Sequence, residues 1–420
     1  MKRFVKLTRI DRALHLFFEQ VQIEPISSET VPLTTSVARI LAEDVVARFD
    51  VPGFSRSAVD GYALKAQDTI GASSTNPLVL DVIGVVEIGW PAKTALSQHQ
   101  SVYIDTGAVL PNGANAVIMA EYTESIGNNK IEIYRALTPG ENVSFRGEDV
   151  KKGERILLRG TVLRPQDVGV LSALGYSQVK VVRRPKIAIL STGNELIDAG
   201  EKWEKGKIID TNRPILISMV KELGGEPIDL GIAKDEFKEI QSKVVYGLNV
   251  SDMVLVSGGT SVGAKDLMPT VINSLKKPGI LVHGLCMKPG KPTALAAAGN
   301  QPIVLLPGFP VAAMVSFNAV VIPIVLKLCG TNSLPFWNRV VHAKMTRRIP
   351  SSLGNKTFTR VLVKYMKGKF VAEPLRTSGS GVISSMIRAN GLVAIPENKE
   401  GLEAGEEVEV ILLRPLKART

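Results

Sequence analysis

Between residues 186 and 310, short apolar runs alternate with amphipathic stretches, and that rhythm restricts the fold more than any other feature of the chain. KIAIL (186–190), 227–232, 253–257, 281–285 and 303–306 are strand-length and largely apolar. Stretches with helical spacing separate most of them, near 212–223, 236–247 and 267–276, and a long apolar helix follows from Val311. Strands buried on both faces and joined by helices predict an α/β unit with a doubly wound, mostly parallel sheet. In such a sheet, ligands collect outside the carboxyl ends of the strands.

The flanks have a different texture. From 51 to 144, runs such as LVLDVIGVVEIG, QSVYI, NAVIMAEYTE and KIEIY are broken by turn signals, PNG and IGNN among them, which predicts an inserted β-rich module. Residues 7–22 read as an amphipathic helix, with Thr8 as its cap and Ile10, Leu14, Phe17 and Val21 on one face. Residues 145–182 hold a turn, the β-like ERILLRGTVL and a short helix at 165–174, ending at Arg183-Arg184-Pro185. From 339 onward, RVVHAKM, TFTRVLVKYM, KFVAEPL, GLVAIP and EEVEVILL predict a small β-barrel-like module. The expected partition is 1–50 with 145–182 as an extended N-terminal and linker module, 51–144 β-rich, 183–330 α/β and 331–420 C-terminal β.

Composition sets the outer limits. A chain of 420 residues is long enough for about three domains. At 45% hydrophobic and 22% charged it is neither disordered nor fibrous. Two cysteines, Cys286 and Cys329, and four scattered histidines give no disulfide framework or structural zinc site, a pattern that suits a reducing cytosol. Arg9, Asp11 and Arg12 interrupt the opening stretch before it reaches signal-peptide length, so a cytoplasmic location is expected. The apolar run 311–328 carries Asn318, Pro323 and Lys327 and reads as a buried core helix, with no membrane role. The net charge of +11 is uneven: residues 331–420 hold 15 Lys and Arg against 7 Asp and Glu, a net of +8. That excess suits either a solvated surface or an anionic ligand; without an aromatic RNA-binding signature it does not point to nucleic acid.

Four loops at the expected carboxyl ends carry unusual chemistry. They are STGNEL from Ser191, SGGTSVGAKD from Ser257, MKPGKP from Met287 and LPGFP from Leu306. Gly258-Gly259, with Ser261 and Gly263 beyond, allows backbone N–H groups to approach a phosphate, although one such loop alone reads equally as a tight turn. Lys288 and Lys291 place two ammonium groups in a proline-stiffened turn. Neither lysine motif satisfies a Walker A pattern, and the GxGxxG fingerprint is absent. Taken together, the four loops suggest an anion larger than one phosphate. Glu195, Asp235 and Asp266 fall at strand–helix junctions on the same edge, where carboxylates beside phosphate-binding glycines suit magnesium. For Asp235, helix capping is an equal reading. In the β-rich segment, RSAVDGYA puts Asp60 either in an Asp-Gly turn or on a close-fitting loop, and Arg146–Asp149 is either a turn or a charge cluster.

RSAVDGYAL, TGAVLPNGANAVI, RGEDVKKGE, STGNEL, SGGTSVGAKD, MKPGKP, LPGFPVA and SGSGVISSMIRANGL occur in the order seen in the molybdopterin molybdenumtransferase (MoeA) family, which includes the gephyrin E domain. The resemblance runs from about residue 8 to about 415. It implies an elongated homodimer of four-module subunits with its active site at the subunit interface. It also implies that adenylylated molybdopterin and molybdate yield molybdenum cofactor and AMP with a divalent cation, usually magnesium, after handover from a molybdopterin adenylyltransferase.

By motif, the resemblance assigns catalysis to Asp60, Glu195, Asp266, Lys288 and Lys291, with Asp60, Glu195 and Asp266 holding the metal. Thr106, Asp149, Asp235, Arg360 and Ser380 match cleft positions, as do Pro307 and Pro310 beside the lysines. Ser191, Thr192, Gly193, Ser257, Gly258, Gly259, Ser261 and Gly263 are expected to bind substrate. Two positions depart from the pattern: Ser144 stands where the family often has arginine, and Phe309 where it often has a polar residue. A tungstate-handling paralogue, a nucleotide pyrophosphatase or adenylyl-transferring enzyme on the same fold, and a dimeric scaffold are the alternatives.

Overall fold

The structure is a computed structural model and describes residues 7–127, 129–259, 267–332, 340–366, 368–376, 381–414 and 416. Its centre is a six-stranded sheet in the order Glu226–Ala233, Lys186–Thr192, Met253–Ser257, Gln301–Leu306, Ala294–Ala298, Pro278–His283. The first four strands are parallel; Ala294–Ala298 runs against them, and Pro278–His283, antiparallel to it, runs with them again. Successive side chains of a strand point to opposite faces. Accordingly, Ile187, Ile189, Met253, Leu255, Val304 and Leu306 enter one core, and Ala188, Leu190, Val254, Val256, Ile303 and Leu305 the other. The sheet is therefore covered on both sides, as the α/β reading requires.

Two expectations change here. The strand Ala294–Ala298 was not foreseen, because ALAAA carries neither β-branched residues nor alternation; full burial between two neighbours makes it a strand. The first strand runs on through Ser191 and Thr192, which are buried strand residues where a loop was expected.

The apolar helix at Pro310–Leu328 is 19 residues long with mean hydropathy 2.1, and 61% of it is buried inside the fold. It consists of helix Pro310–Ser316, a π-helical turn Phe317–Val321 and helix Ile322–Leu328, and it supplies much of the first core. The N-terminal helix, Ile10–Gln20, packs Ile10, Ala13 and Phe17 into that same core. Thr8 does not cap it. Its N–H and C=O bond to Gly284 and Cys286, so the helix starts later, with Arg9 at the capping position.

Ser28–Pro32 pairs antiparallel with Gln178–Val182, which closes the extended stretches on either side of the β-rich module into one unit. The β-rich module is a six-stranded sheet over two small cores. In the C-terminal module, Lys356–Met366, Lys369–Arg376, Val340–Met345, Glu407–Leu412 and Gly391–Ile395 pair in ring order, and the last returns to the first. That is a closed five-stranded barrel. One further pairing positions the site: Met287–Lys288, at the start of MKPGKP, lies parallel to the barrel strand at Lys356 and Thr357.

Candidate functional site

The carboxyl ends of the four parallel strands stop in line, with Ser191 opposite Ser257, Ser257 opposite Leu306 and Thr192 opposite Ala233. Each chain then turns outward. After Ser257 the turn requires glycine: at Gly258 φ is +97°, and a Cβ there would stand 2.4 Å from the Thr192 carbonyl oxygen. A Cβ on Gly259 would meet Met268 at 2.7 Å and the Thr192 hydroxyl at 3.2 Å. The glycine pair thus lies flat against the end of the neighbouring strand.

Glu195 and Asp235 flank the next junction. The Asn194 N–H approaches Asp235 Oδ2 at 3.4 Å, and the Asp235 N–H donates to Asn194 Oδ1 at 3.0 Å. The Glu195 carboxylate folds back over Gly193, and Lys207 Nζ donates to the Asn194 carbonyl at 2.8 Å. Helix Phe237–Val250 is capped at Glu236 with no side-chain bond, so Asp235 does not serve as its cap. Glu195 and Asp235 are both exposed. They offer hard oxygen donors of the kind magnesium takes, and that ion needs only one or two protein carboxylates when phosphate oxygens and water complete its shell. Among the described residues, no three His, Cys, Asp or Glu side chains gather into a ready-made metal cluster.

Beside this edge opens a cleft of about 420 Å³. The Met287–Pro292 loop forms one wall, Pro307 and Phe309 a second, and Asn355, Thr357, Phe358 and Arg360 of the barrel a third. The strand pairing at Lys288 brings the first and third walls together. Three cationic side chains, Lys288, Lys291 and Arg360, therefore line one space, with Arg360 only 3% exposed and the two lysines at the surface. Phe309 is 61% exposed, and a Cβ at Gly381 would touch its ring at 3.2 Å, so it stands between the α/β edge and the barrel. A second groove, of about 460 Å³, lies on the extended module, where Lys180 meets Glu43 at 3.6 Å, Arg155 meets Asp44 at 3.2 Å and Arg48 lies over the Tyr176 ring.

Asp60 lies on the β-rich module, outside the residues that line the cleft in its own chain. Its Oδ1 accepts from the Thr106 N–H at 2.6 Å and the Thr106 hydroxyl at 2.8 Å. These two donors, the backbone one first, hold the Asp60 carboxyl below the usual carboxylate range. The following Gly61 abuts the next strand so closely that a Cβ would sit 1.9 Å from the Ile118 carbonyl oxygen. The carboxylate is thus charged and presented on a close-fitting loop.

Asp149 sits at the junction of the extended and β-rich modules, its N–H bonded to the Val51 carbonyl, and it too is outside the cleft lining. Ser144 bonds Glu148 within the same turn. Pro310 opens the helix behind the cleft. Ser261, Gly263, Asp266 and Ser380 lie outside the described residues.

Sequence reading missed two asparagines. Asn194 couples the Glu195 and Asp235 loops. Asn212, buried at the start of helix Asn212–Glu222, donates through Nδ2 to Ser257 Oγ at 2.7 Å and to the Gly308 carbonyl at 2.9 Å, with the Pro307 carbonyl at 3.3 Å. The side-chain oxygens of Ser191, Thr192 and Asn212 are all buried and meet no hydrogen-bond partner among the described residues. Buried polar atoms left unsatisfied cost about 1–3 kcal/mol each, so this edge is suited to a polar ligand.

A mostly parallel sheet with glycine turns at its carboxyl edge, fused to a barrel that completes a cationic cleft, defines an α/β protein whose site offers positive charge at the sheet edge. The comparisons with known proteins give the family. The MoeA N-terminal region (domains I and II) matches residues 8–175, the probable molybdopterin binding domain matches 188–327, and the MoeA C-terminal region (domain IV) matches 342–413. A Methanocaldococcus jannaschii protein named for molybdopterin biosynthesis is 35% identical over 99% of this chain and 100% of its own length. The molybdopterin molybdenumtransferase of Bacillus subtilis is 34% identical over 92% of this chain and 90% of its own. The crystal structure of a molybdopterin biosynthesis MoeA protein from Pyrococcus horikoshii superposes with a TM-score of 0.84 at 37% identity, covering 98% of this chain and 100% of that one. The chain belongs to the MoeA family of molybdopterin molybdenumtransferases.

Proposed function

We propose that this protein inserts molybdenum from molybdate into adenylylated molybdopterin, releasing AMP and molybdenum cofactor. The observation that carries the reading is the cleft itself, in which Lys288, Lys291 and Arg360 converge beside the glycine turns of the α/β edge. Both substrates are polyanions, and fixed positive groups in a partly water-excluded space bind and orient them with little reorganisation. Insertion itself forms two Mo–S bonds to the pterin dithiol, one molybdate oxygen leaving as water with the two thiol protons and molybdenum keeping its oxidation state. In the coupled cleavage, an oxygen of molybdate or water attacks the pterin-side phosphorus. A new P–O bond forms there as the phosphoanhydride bond breaks, and AMP departs with the bonding electron pair. Lys288 and Lys291 neutralise charge that grows on the phosphoryl oxygens, and the glycine pair, without side chains, lets the diphosphate approach the strand end closely.

Glu195 and Asp266, with Asp60, are the carboxylates that would hold magnesium, which when bound screens diphosphate charge, and Asp235 borders the Glu195 loop. Asp60, ionised and outside the cleft of its own chain, acts from a second copy in a homodimer. A molybdopterin adenylyltransferase is the class of enzyme that supplies the substrate. The test is incubation with adenylylated molybdopterin, magnesium and either molybdate or tungstate at micromolar concentration, following AMP release. Release that depends on one of the oxyanions supports the reading. Hydrolysis of ordinary dinucleotides, indifferent to both, refutes it.

A further inference from the structure

We propose that Asn212 is a positioning residue for the cationic cleft: its amide nitrogen ties the strand end at Ser257 to the Pro307–Gly308 backbone. This fixes how far the Phe309 wall stands from the glycine turn. The inference rests on the reading of that cleft as an oxyanion site.

A primary amide carries two N–H donors. Those of Asn212 are directed at the Ser257 hydroxyl and the Gly308 carbonyl, at 2.7 and 2.9 Å, with the Pro307 carbonyl also in range at 3.3 Å. The two segments belong to neighbouring strands, and both leave the sheet at this point. Pro307 and Phe309 line the cleft, so an error in the path of Gly308 is transmitted directly to its wall. Below the strand ends the sheet ladder holds the two chains together; above them, Asn212 takes over that role. Gly258 and Gly308 approach closely enough that a Cβ on Gly308 would lie 3.8 Å from the Gly258 Cα.

The tie is itself held in place. Asp210, 4% exposed, accepts from the N–H groups of Asn212 and Arg213 at 3.0 and 3.2 Å and pins the first turn of the helix. Arg213 in turn bonds Asp198, Asp210 and Asp229, one guanidinium shared by three carboxylates. Such outer support limits the freedom of the side chain it carries, which is what a precise site needs. Asn212 thus bonds both loops at once.

Asn212→Asp keeps the volume and can still accept from the Ser257 hydroxyl, but it has no donor for the Pro307 and Gly308 carbonyls, so the tie between the loops is lost. Asn212→Ala removes the group and keeps the Asp210 cap, which is made to the backbone. Two measurements are made on the full chain: amide hydrogen exchange at Gly258 and Ala313, whose N–H groups bond Leu306 and Phe309, and molybdate binding by calorimetry. The expected result is exchange at least tenfold faster at those two amides, with barrel amides unchanged, and molybdate affinity at least tenfold weaker. If Asn212→Asp does not fold, Asn212→Ala decides. Wild-type exchange at both amides, or acceleration spread evenly over the α/β unit, overturns the proposal. Failure of the wild-type chain to bind molybdate counts against the oxyanion reading, and the exchange data still decide whether Asn212 holds the two loops.

Discussion

Lys288 lies in parallel strand register with Thr357, so the loop that carries both lysines is stitched to the barrel strand that carries Arg360. Two residues of sheet thus join modules that are distant in the chain, and the cleft exists because of that junction. Its walls come from separate cores, which makes it sensitive to small changes at the seam.

The glycine turn provides the first check. Gly258→Ala places a methyl group 2.4 Å from the Thr192 carbonyl oxygen and forces φ of +97° on an L side chain. Strain of this type costs about 1–3 kcal/mol, and the backbone must move to relieve it. A lower denaturant midpoint and weaker binding of the adenylylated pterin are expected together, measured by urea titration and fluorescence competition.

Asp60 provides a pH-dependent check. Its two bonds from Thr106 lower its pKa, so its contribution to stability is present above the ordinary aspartate range and is lost as pH falls through the depressed value. Thr106→Ala deletes the hydroxyl donor and leaves the backbone donor. The Asp60 titration, followed by carboxyl carbon NMR, should move up but remain below an unperturbed aspartate. The stability lost on acidification should accordingly be smaller in the variant, and its loss complete at a higher pH than in the wild type.

The thiols give a third. Burial pushes the Cys329 thiol up to about 12, and burial first, then Glu397, raises that of Cys286. Thiolate is the reactive species, so native protein at pH 8 should react slowly with an aromatic disulfide reagent, and two thiols should appear on unfolding. A fast-reacting thiol in the native state would show a different packing around these residues.

The parts of the molecule that were legible in sequence are those set by local pattern. KIAIL and MVLVS announce buried strands because both faces must be apolar, and the five C-terminal runs announce a barrel through alternation. Ala294–Ala298 was silent because alanine has little strand preference of its own; its neighbours decide the matter. The motif match picked out Lys288, Lys291 and Arg360, yet nothing in their spacing says that Met287–Lys288 pairs with a strand in another module. Asn212 was overlooked for the same reason, since its partners lie 45 and 96 residues away and leave no periodic trace. Thr8 and Asp235 failed the other way. Both look like helix caps locally, and in each case longer-range backbone bonds claim the residue.

The central claim is that Lys288 and Lys291 give the cleft its affinity for an oxyanion. It is tested most directly by calorimetric titration of molybdate into the wild-type chain and the Lys288→Ala and Lys291→Ala variants. Both lysines are at the surface, so folding stability should change by no more than about 0.5 kcal/mol. Binding should fall at least tenfold in each variant and weaken for the wild type as salt is raised. Equal affinity in all three proteins would contradict the account.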